Sequence, residues 1–189
     1  VMSHVHPDNL QGEDEYCLLP NFRLPQHIHS RSANAKWLAE IAHRNPLWVH
    51  PSDATKLGVG EGDLLKVETE IGWFIDKVWV TEGIKPGIIG CSHHIGRWRR
   101  KQDSGNRYMT NEVEIEDLGD GKMRMRTVSG VRPWESDDPD TNRVWWRDGG
   151  VHQNITHAVQ PDPISGAHCW LQKVRITRPV DGEEYGDVE

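Results

Sequence analysis

No apolar stretch in this chain approaches the ~18 consecutive residues that a membrane-crossing helix needs, so no such helix is expected within it. Cysteine is scarce: Cys17, Cys91 and Cys169 stand far apart, with no CxxC pair. That spacing offers neither a zinc ribbon nor a dense disulfide framework, and buried free thiols are the simpler expectation. Phe and Tyr number two and three, and apolar residues make up only 35% of the 189. An average globular chain holds roughly 45–50%, so the core is expected to be thin. No repeat period or low-complexity tract is present, which removes solenoids. Positive charge is also short, with 22 Lys+Arg against 29 Asp+Glu and a net charge of −7. Only Arg97, Arg99, Arg100 and Lys101 cluster, whereas a nucleic-acid footprint needs a continuous basic stripe.

In surplus are nine Trp and eleven His. The length suits one domain. The opening VMSHVHPDNL lacks the basic-then-apolar pattern of an export signal, and the closing GEEYGDVE reads as a solvated tail. The chain is therefore expected to be a piece of a longer polypeptide.

Along the chain, Tyr16–Leu19 closed by Pro20 predicts a buried strand. Ala35–His43 puts Trp37, Leu38, Ile41 and Ala42 on one helical stripe that Asn45-Pro46 ends. Leu47–Val49 reads as a strand, Pro51 as the first residue of a short helix through Leu57, and Gly58 as its left-handed cap. From Asp63, LLKVETEIGWFIDKVWV alternates about Glu70-Ile71-Gly72, predicting a hairpin with Val67, Phe74, Val78 and Val80 in the core. The turn at 85–87 leads into an Ile88–Cys91 strand. Residues 97–150, with nine acidic residues between Glu112 and Asp140, read as an insertion built on a hairpin turning at Gly119-Asp120-Gly121. Short apolar pieces from Val144 to Val174 re-enter the same body.

Candidate chemistry is sparse. His27/His29 and His93/His94 have imidazole nitrogens to offer, but no HExxH, Cys partner or carboxylate at ligand spacing accompanies them, so no metal ligand is expected. No GxSxG elbow exists, and Cys91-Ser92-His93 is too close in sequence for a triad, so no catalytic residue is expected. GVGEG at 58–62 lacks the Lys-Ser/Thr of a phosphate loop and precedes a strand, so a tight turn is expected there. Three polar loops remain: HSRSAN at 29–34, SHHIGRWR at 92–99, and GGVHQN at 149–154 with DPISG at 162–166. Two readings stand for them, ordinary polar loops or donors and acceptors for a polar heterocycle or pyrophosphate.

HSRSANAKWLAEI, NPLWVHPSDATKLGVGEGDLLKVETEIG and VWVTEGIKPGIIGCSHHIG together resemble the C-terminal domain of molybdopterin oxidoreductases of the dimethyl-sulfoxide-reductase superfamily. The most specific part is HPSDATKLGVGEGDLLKV at 50–67, and the later GG-x-x-x-N and DP-x-SG sequences extend the resemblance over about residues 14–178. It implies a mainly β fold, a six-stranded double-psi β-barrel of the aspartate-decarboxylase-like kind. Short helices and an inserted hairpin region at about 97–150 would accompany it, between a lead-in at 1–13 and a tail at 179–189. It further implies a bis(molybdopterin guanine dinucleotide) cofactor with Mo or W, held by a full-length catalytic subunit of which this fragment alone is inactive. His29, Ser30, Arg31, Ser32 and Asn34 match the family's pterin-contacting loop. His93, His94, Gly96 and Arg97 stand where the chain follows a barrel strand toward the cofactor, and Gln153 and Asn154 match its G-x-N-type loop. Many relatives carry an aromatic and a Lys before the last strand; this chain has Cys169 and Trp170, and Trp170 is the candidate there.

Asp53, Gly58, Gly62 and Asp63 are expected to serve the helix and turn rather than a ligand. The implied partners are an iron–sulfur electron-transfer subunit together with other domains of the same catalytic polypeptide, with no nucleic acid and no direct membrane span. The long insertion and VWWRDGG look most like the polysulfide, thiosulfate and tetrathionate reductase branch. The competing readings are a stand-alone barrel acting as an interaction or substrate-recognition module, and a carbohydrate-stacking surface built from the Trp residues.

Overall fold

The computed structural model describes residues 12–20, 29, 38, 41, 44–96, 99–100, 113–119, 122–127, 149–157, 163–167 and 171–189. Within them run β1 (Glu15–Leu19), β2 (Leu47–Val49), helix α1 (Pro51–Leu57), β3 (Leu64–Glu68), β4 (Trp73–Val80) and β5 (Ile88–Gly90). Then follow β6 (Arg99–Arg100), β7 (Val113–Gly119), β8 (Lys122–Thr127), a 3-10 turn (Gln153–Thr156), β9 (Gln172–Thr177) and β10 (Asp187–Val188).

Six strands close on themselves in the order β2-β5-β1-β9-β3-β4, with β4 pairing back to β2. Closure leaves none of the six with an unpaired edge. The β1–β5 and β2–β4 contacts are parallel, Cys17 facing Ile88 and Leu47 facing Val78. The expected hairpin forms between β3 and β4 in a register from Leu64↔Lys77 to Glu68↔Trp73. Its alternation buries Leu65, Val67, Phe74 and Val78 in a core shared with Tyr16, Leu18, Leu47, Val49, Ile89, Val174 and Ile176. Val80 packs against that core only partly buried.

Local chemistry sets the helix. The His50 side chain accepts the Ser52 N–H at its N-terminus, Pro51 opens it, and Gly58 closes it at φ 67°. The Asp53 carboxylate accepts the Gly87 N–H at 2.8 Å and so ties α1 to the turn before β5, while Asp63 accepts the Gly60 N–H at 2.8 Å. The hairpin expected within residues 97–150 pairs β7 with β8 from Val113↔Thr127 to Gly119↔Lys122. The helix expected over 35–43 lies outside the described residues apart from Leu38 and Ile41. Ile41, placed by the sequence pattern on the buried stripe, is 72% exposed.

The C-terminal segment departs from the expected solvated tail. Val188 pairs with Phe74 of β4, Asp187 and Val188 pair in parallel with β6, and Gly186 donates to the Ile75 carbonyl. Lys66 pairs with Glu183 at 2.8 Å, and its ammonium also sits 4.1 Å from the Trp73 ring centroid. Strand β10 adds to the sheet beside Phe74 of β4, on which Phe74, Asp76 and Val78 are buried along one side while Ile75, on the other, is buried as well. Val188→Asp would put a carboxylate among apolar side chains. It should lower unfolding free energy by about 2–4 kcal/mol in a urea titration, whereas a solvated tail would register nothing.

The Tyr16 hydroxyl, buried in β1, has no hydrogen-bond partner among the described residues. Burial first, then the Asp53 and Asp14 charges, push its pKa up to about 12 from 10.0. The protonated phenol is thus favoured in the folded state, and its contribution, complete below pH 10, fades as pH rises toward 12. Tyr16→Phe should be neutral or stabilising by up to ~1 kcal/mol at pH 7, because it removes an unpaired polar group. It should also flatten the alkaline fall in stability above pH 10, measured by denaturant melts across that range.

Candidate functional site

The site is organised by one buried side chain the sequence pattern did not single out. Asn45, just before β2, donates through Nδ2 to the Ser92 carbonyl at 2.7 Å and the Ile95 carbonyl at 3.1 Å, while its Oδ1 accepts the Ser92 N–H at 3.1 Å. A single carboxamide therefore satisfies three backbone groups of the loop that follows β5 and fixes its path. The Ser92 hydroxyl in turn accepts the His94 N–H at 3.2 Å. His93 donates its Nδ1–H to the Pro20 carbonyl at 2.7 Å, since a carbonyl can only accept.

On its other side the loop meets residues 149–154. A side chain at Gly96, φ 134°, would strike the backbone of Val151 and His152 at 2.4 Å, and one at Gly150, φ 81°, would strike Asn45 at 2.6 Å. Both positions therefore require glycine. The 149–154 segment is held by the buried Asp76 carboxylate, which accepts the Val151 N–H at 3.0 Å and the Lys77 N–H at 2.7 Å, and by the Tyr185 hydroxyl, which accepts the Gly150 N–H at 2.9 Å. At its end, Thr69 of the β3–β4 loop donates to the Thr156 carbonyl at 3.1 Å.

Two of the predicted loops are thus brought together. His93, His94 and Gly96 lie on one, Gln153 and Asn154 on the next, and His29 reaches the first from a third part of the chain, its ring centroid 4.6 Å from that of His94 and 5.4 Å from that of His93. Gln153 is fully buried, yet neither end of its amide has a hydrogen-bond partner among the described residues, while Asn154 is exposed. Ser30, Arg31, Ser32, Asn34, Arg97 and Trp170 lie outside the described residues. Asn45, Asp76 and Tyr185 were missed. Asn45 reads in sequence as a helix stop before proline, and Asp76 is legible only as an acidic residue inside the strand pattern WFIDKVWV.

Cys91, at the end of β5, is buried against this framework. Burial holds its thiol well above the usual range, the Asp76 charge adds to this, and the Asn45 hydrogen bond opposes it. The thiol stays protonated and is a packing group rather than a nucleophile.

The chain matches the family model for the Molydopterin dinucleotide binding domain over residues 18–169. It belongs to that family. A putative dimethyl sulfoxide reductase catalytic chain from Halobacterium salinarum is 34% identical over 49% of this chain and 11% of that protein. The molybdopterin-containing subunit of an arsenate respiratory reductase from Chrysiogenes arsenatis is 27% identical over 57% of this chain and 12% of its own length, and a trimethylamine-N-oxide reductase from Haemophilus influenzae is 28% identical over 51% and 12%. This chain thus spans roughly a tenth of the relatives it matches. Among solved structures, acetylene hydratase from Pelobacter acetylenicus superposes with a TM-score of 0.56 at 14% identity, covering 94% of this chain and 20% of that one, which shows a shared fold.

Asn45→Ala should cost about 2–4 kcal/mol of stability, because it leaves buried backbone donors and acceptors unpaired, and should raise amide hydrogen exchange in residues 91–96 above that in β3 and β4.

Proposed function

We propose that this chain is the cofactor-binding part of a molybdenum or tungsten oxidoreductase, holding one side of a bis(molybdopterin guanine dinucleotide). The observation that carries this, beside the family membership, is the Gln153 amide: a buried donor and acceptor without a protein partner among the described residues suits a heterocycle edge that needs both. The donor set of the adjoining loop, His93 and His94 held on a backbone pinned by Asn45, suits a polar, phosphate-bearing ligand in the same way. When bound, such a cofactor supplies the metal and dithiolene chemistry of oxygen-atom or electron transfer.

In this reading His29, His93, His94, Gly96, Gln153 and Asn154 bind and orient the ligand. Ser30, Arg31, Ser32, Asn34, Arg97 and Trp170 join them on the strength of the sequence match. Gly96 lets the ligand-facing loop lie flush on Val151 and His152, and Asp76 and Tyr185 hold the second loop from behind. None of these residues takes part in bond making; the catalytic residues belong to the rest of the full-length polypeptide, as does the contact with an iron–sulfur partner. The finer assignment, to the polysulfide, thiosulfate and tetrathionate branch, rests on the 97–150 insertion and VWWRDGG. Turnover of tetrathionate or thiosulfate by the full-length enzyme supports it, and turnover of only N-oxides, sulfoxides or arsenate moves the protein to another branch.

The full-length polypeptide should be isolated with Mo or W and with releasable pterin; a preparation lacking both, from a host that makes the cofactor, would sink the reading. Ser32→Ala, Asn154→Ala and Gln153→Leu should each weaken pterin retention by about 0.5–1.5 kcal/mol, the worth of a lost ligand hydrogen bond, with a smaller change in unfolding free energy from a urea titration. Equal loss of retention and of stability would assign these side chains to the fold instead.

A further inference from the structure

We propose that His29, His93 and His94 form a binding site for a single divalent transition-metal ion of the zinc type, distinct from the metal of the cofactor. Each offers one ring nitrogen, and the three nitrogens lie within 4.8 Å of one another. His93 and His94 meet edge to face at 4.2 Å and 87°, and His29 is tilted 54° to His93 and 40° to His94. Ligand atoms about 2.1 Å from a tetrahedral ion stand about 3.4 Å apart, so side-chain rotations on the order of 1 Å bring the three nitrogens to coordinating distance.

A second, independent observation points the same way. His93 spends its Nδ1–H on the Pro20 carbonyl at 2.7 Å, which makes Nε2 the nitrogen it would turn to an ion. A backbone carbonyl on the far nitrogen is the usual support of a metal-bound imidazole, because it orients the ring and raises its basicity. The backbone beneath is held before any ion arrives, since Asn45 secures Ser92 and Ile95 and Ser92 secures the His94 N–H. His94 is buried, His93 half-buried and His29 exposed, so the cluster opens outward at His29, where water completes the coordination.

Three imidazoles, with no thiolate or carboxylate in the cluster among the described residues, select Zn²⁺, Ni²⁺, Cu²⁺ or Co²⁺ over Mg²⁺ and Ca²⁺. A bound ion joins the loop after β5 to the segment carrying His29. The proposal goes beyond the cofactor reading, although the two draw on the same three histidines, so that ion and cofactor compete for them.

The test titrates the full-length polypeptide, purified free of cofactor and treated with EDTA, with Co²⁺. One equivalent should give the intense visible bands of tetrahedral cobalt, displaced stoichiometrically by Zn²⁺, with Mg²⁺ silent. His93→Ala, His93→Gln, His94→Ala and His29→Ala should each weaken binding by more than about 100-fold, the upper range for loss of a mere supporting contact. His50→Ala, outside the cluster, should bind as the parent does, and circular dichroism identifies any variant that fails to fold. Absence of binding by the parent, or binding unchanged in folded His93→Gln and His29→Ala, overturns the site and leaves the cofactor reading untouched. The same titration on cofactor-loaded protein separates the two readings. Exclusion of Co²⁺ there supports both, whereas undiminished binding keeps the metal site and removes the cofactor from these histidines.

Discussion

The arrangement depends on one buried carboxamide. Asn45 stands where β2 begins and closes three hydrogen bonds with the loop that leaves β5, so two chain segments far apart in sequence share a fixed origin. A loop of small and polar residues would otherwise sample many paths, at roughly 1–2 kcal/mol of ordering per residue whenever a ligand bound. Here that cost is met during folding. Gly150 lies so close to Asn45 that the second loop takes its position from the same side chain, and the two polar loops are set by one point of contact.

A thin apolar composition is compatible with this because the barrel does not rely on its core alone. Strand β10 extends the sheet beside β4, and Lys66 joins the same region to the C-terminal segment through Glu183 while lying over the Trp73 ring. Trp48 and Trp79, opposite each other on β2 and β4, meet edge to face at 4.5 Å with Trp79 partly open to solvent. Amphipathic rings of this kind bury area and still tolerate water at one edge. Part of the tryptophan surplus is therefore structural.

Local signals carried much of the fold. The Pro51 start and Gly58 cap of α1, the β3–β4 hairpin and the β7–β8 pairing are all short-range chemistry, written in residues close together in the chain. What sequence reading could not reach was non-local. Nothing near Asn45 announces that its amide faces residues 92–95, and nothing in GEEYGDVE, with its charges and glycines, announces a strand, because its burial comes from pairing with Phe74 across the fold. Likewise the histidines looked like isolated loop residues, since His29 and His93 are brought together only by the folding of the segments between them. The polar loops themselves were legible as a shared chemistry, and their partial convergence is what the barrel adds.

The strand order has a consequence for how such a chain comes into being. Strand β9, near the end of the sequence, lies between β1 and β3, both of which are made early. Until residues 172–177 arrive, β1 and β3 each present an open row of backbone donors and acceptors, the kind of template on which other chains add. During synthesis the open side persists while residues 97–150 are being made. That stretch carries eleven Lys/Arg and eleven Asp/Glu, so its charges balance and give unfinished barrels no net repulsion to hold them apart.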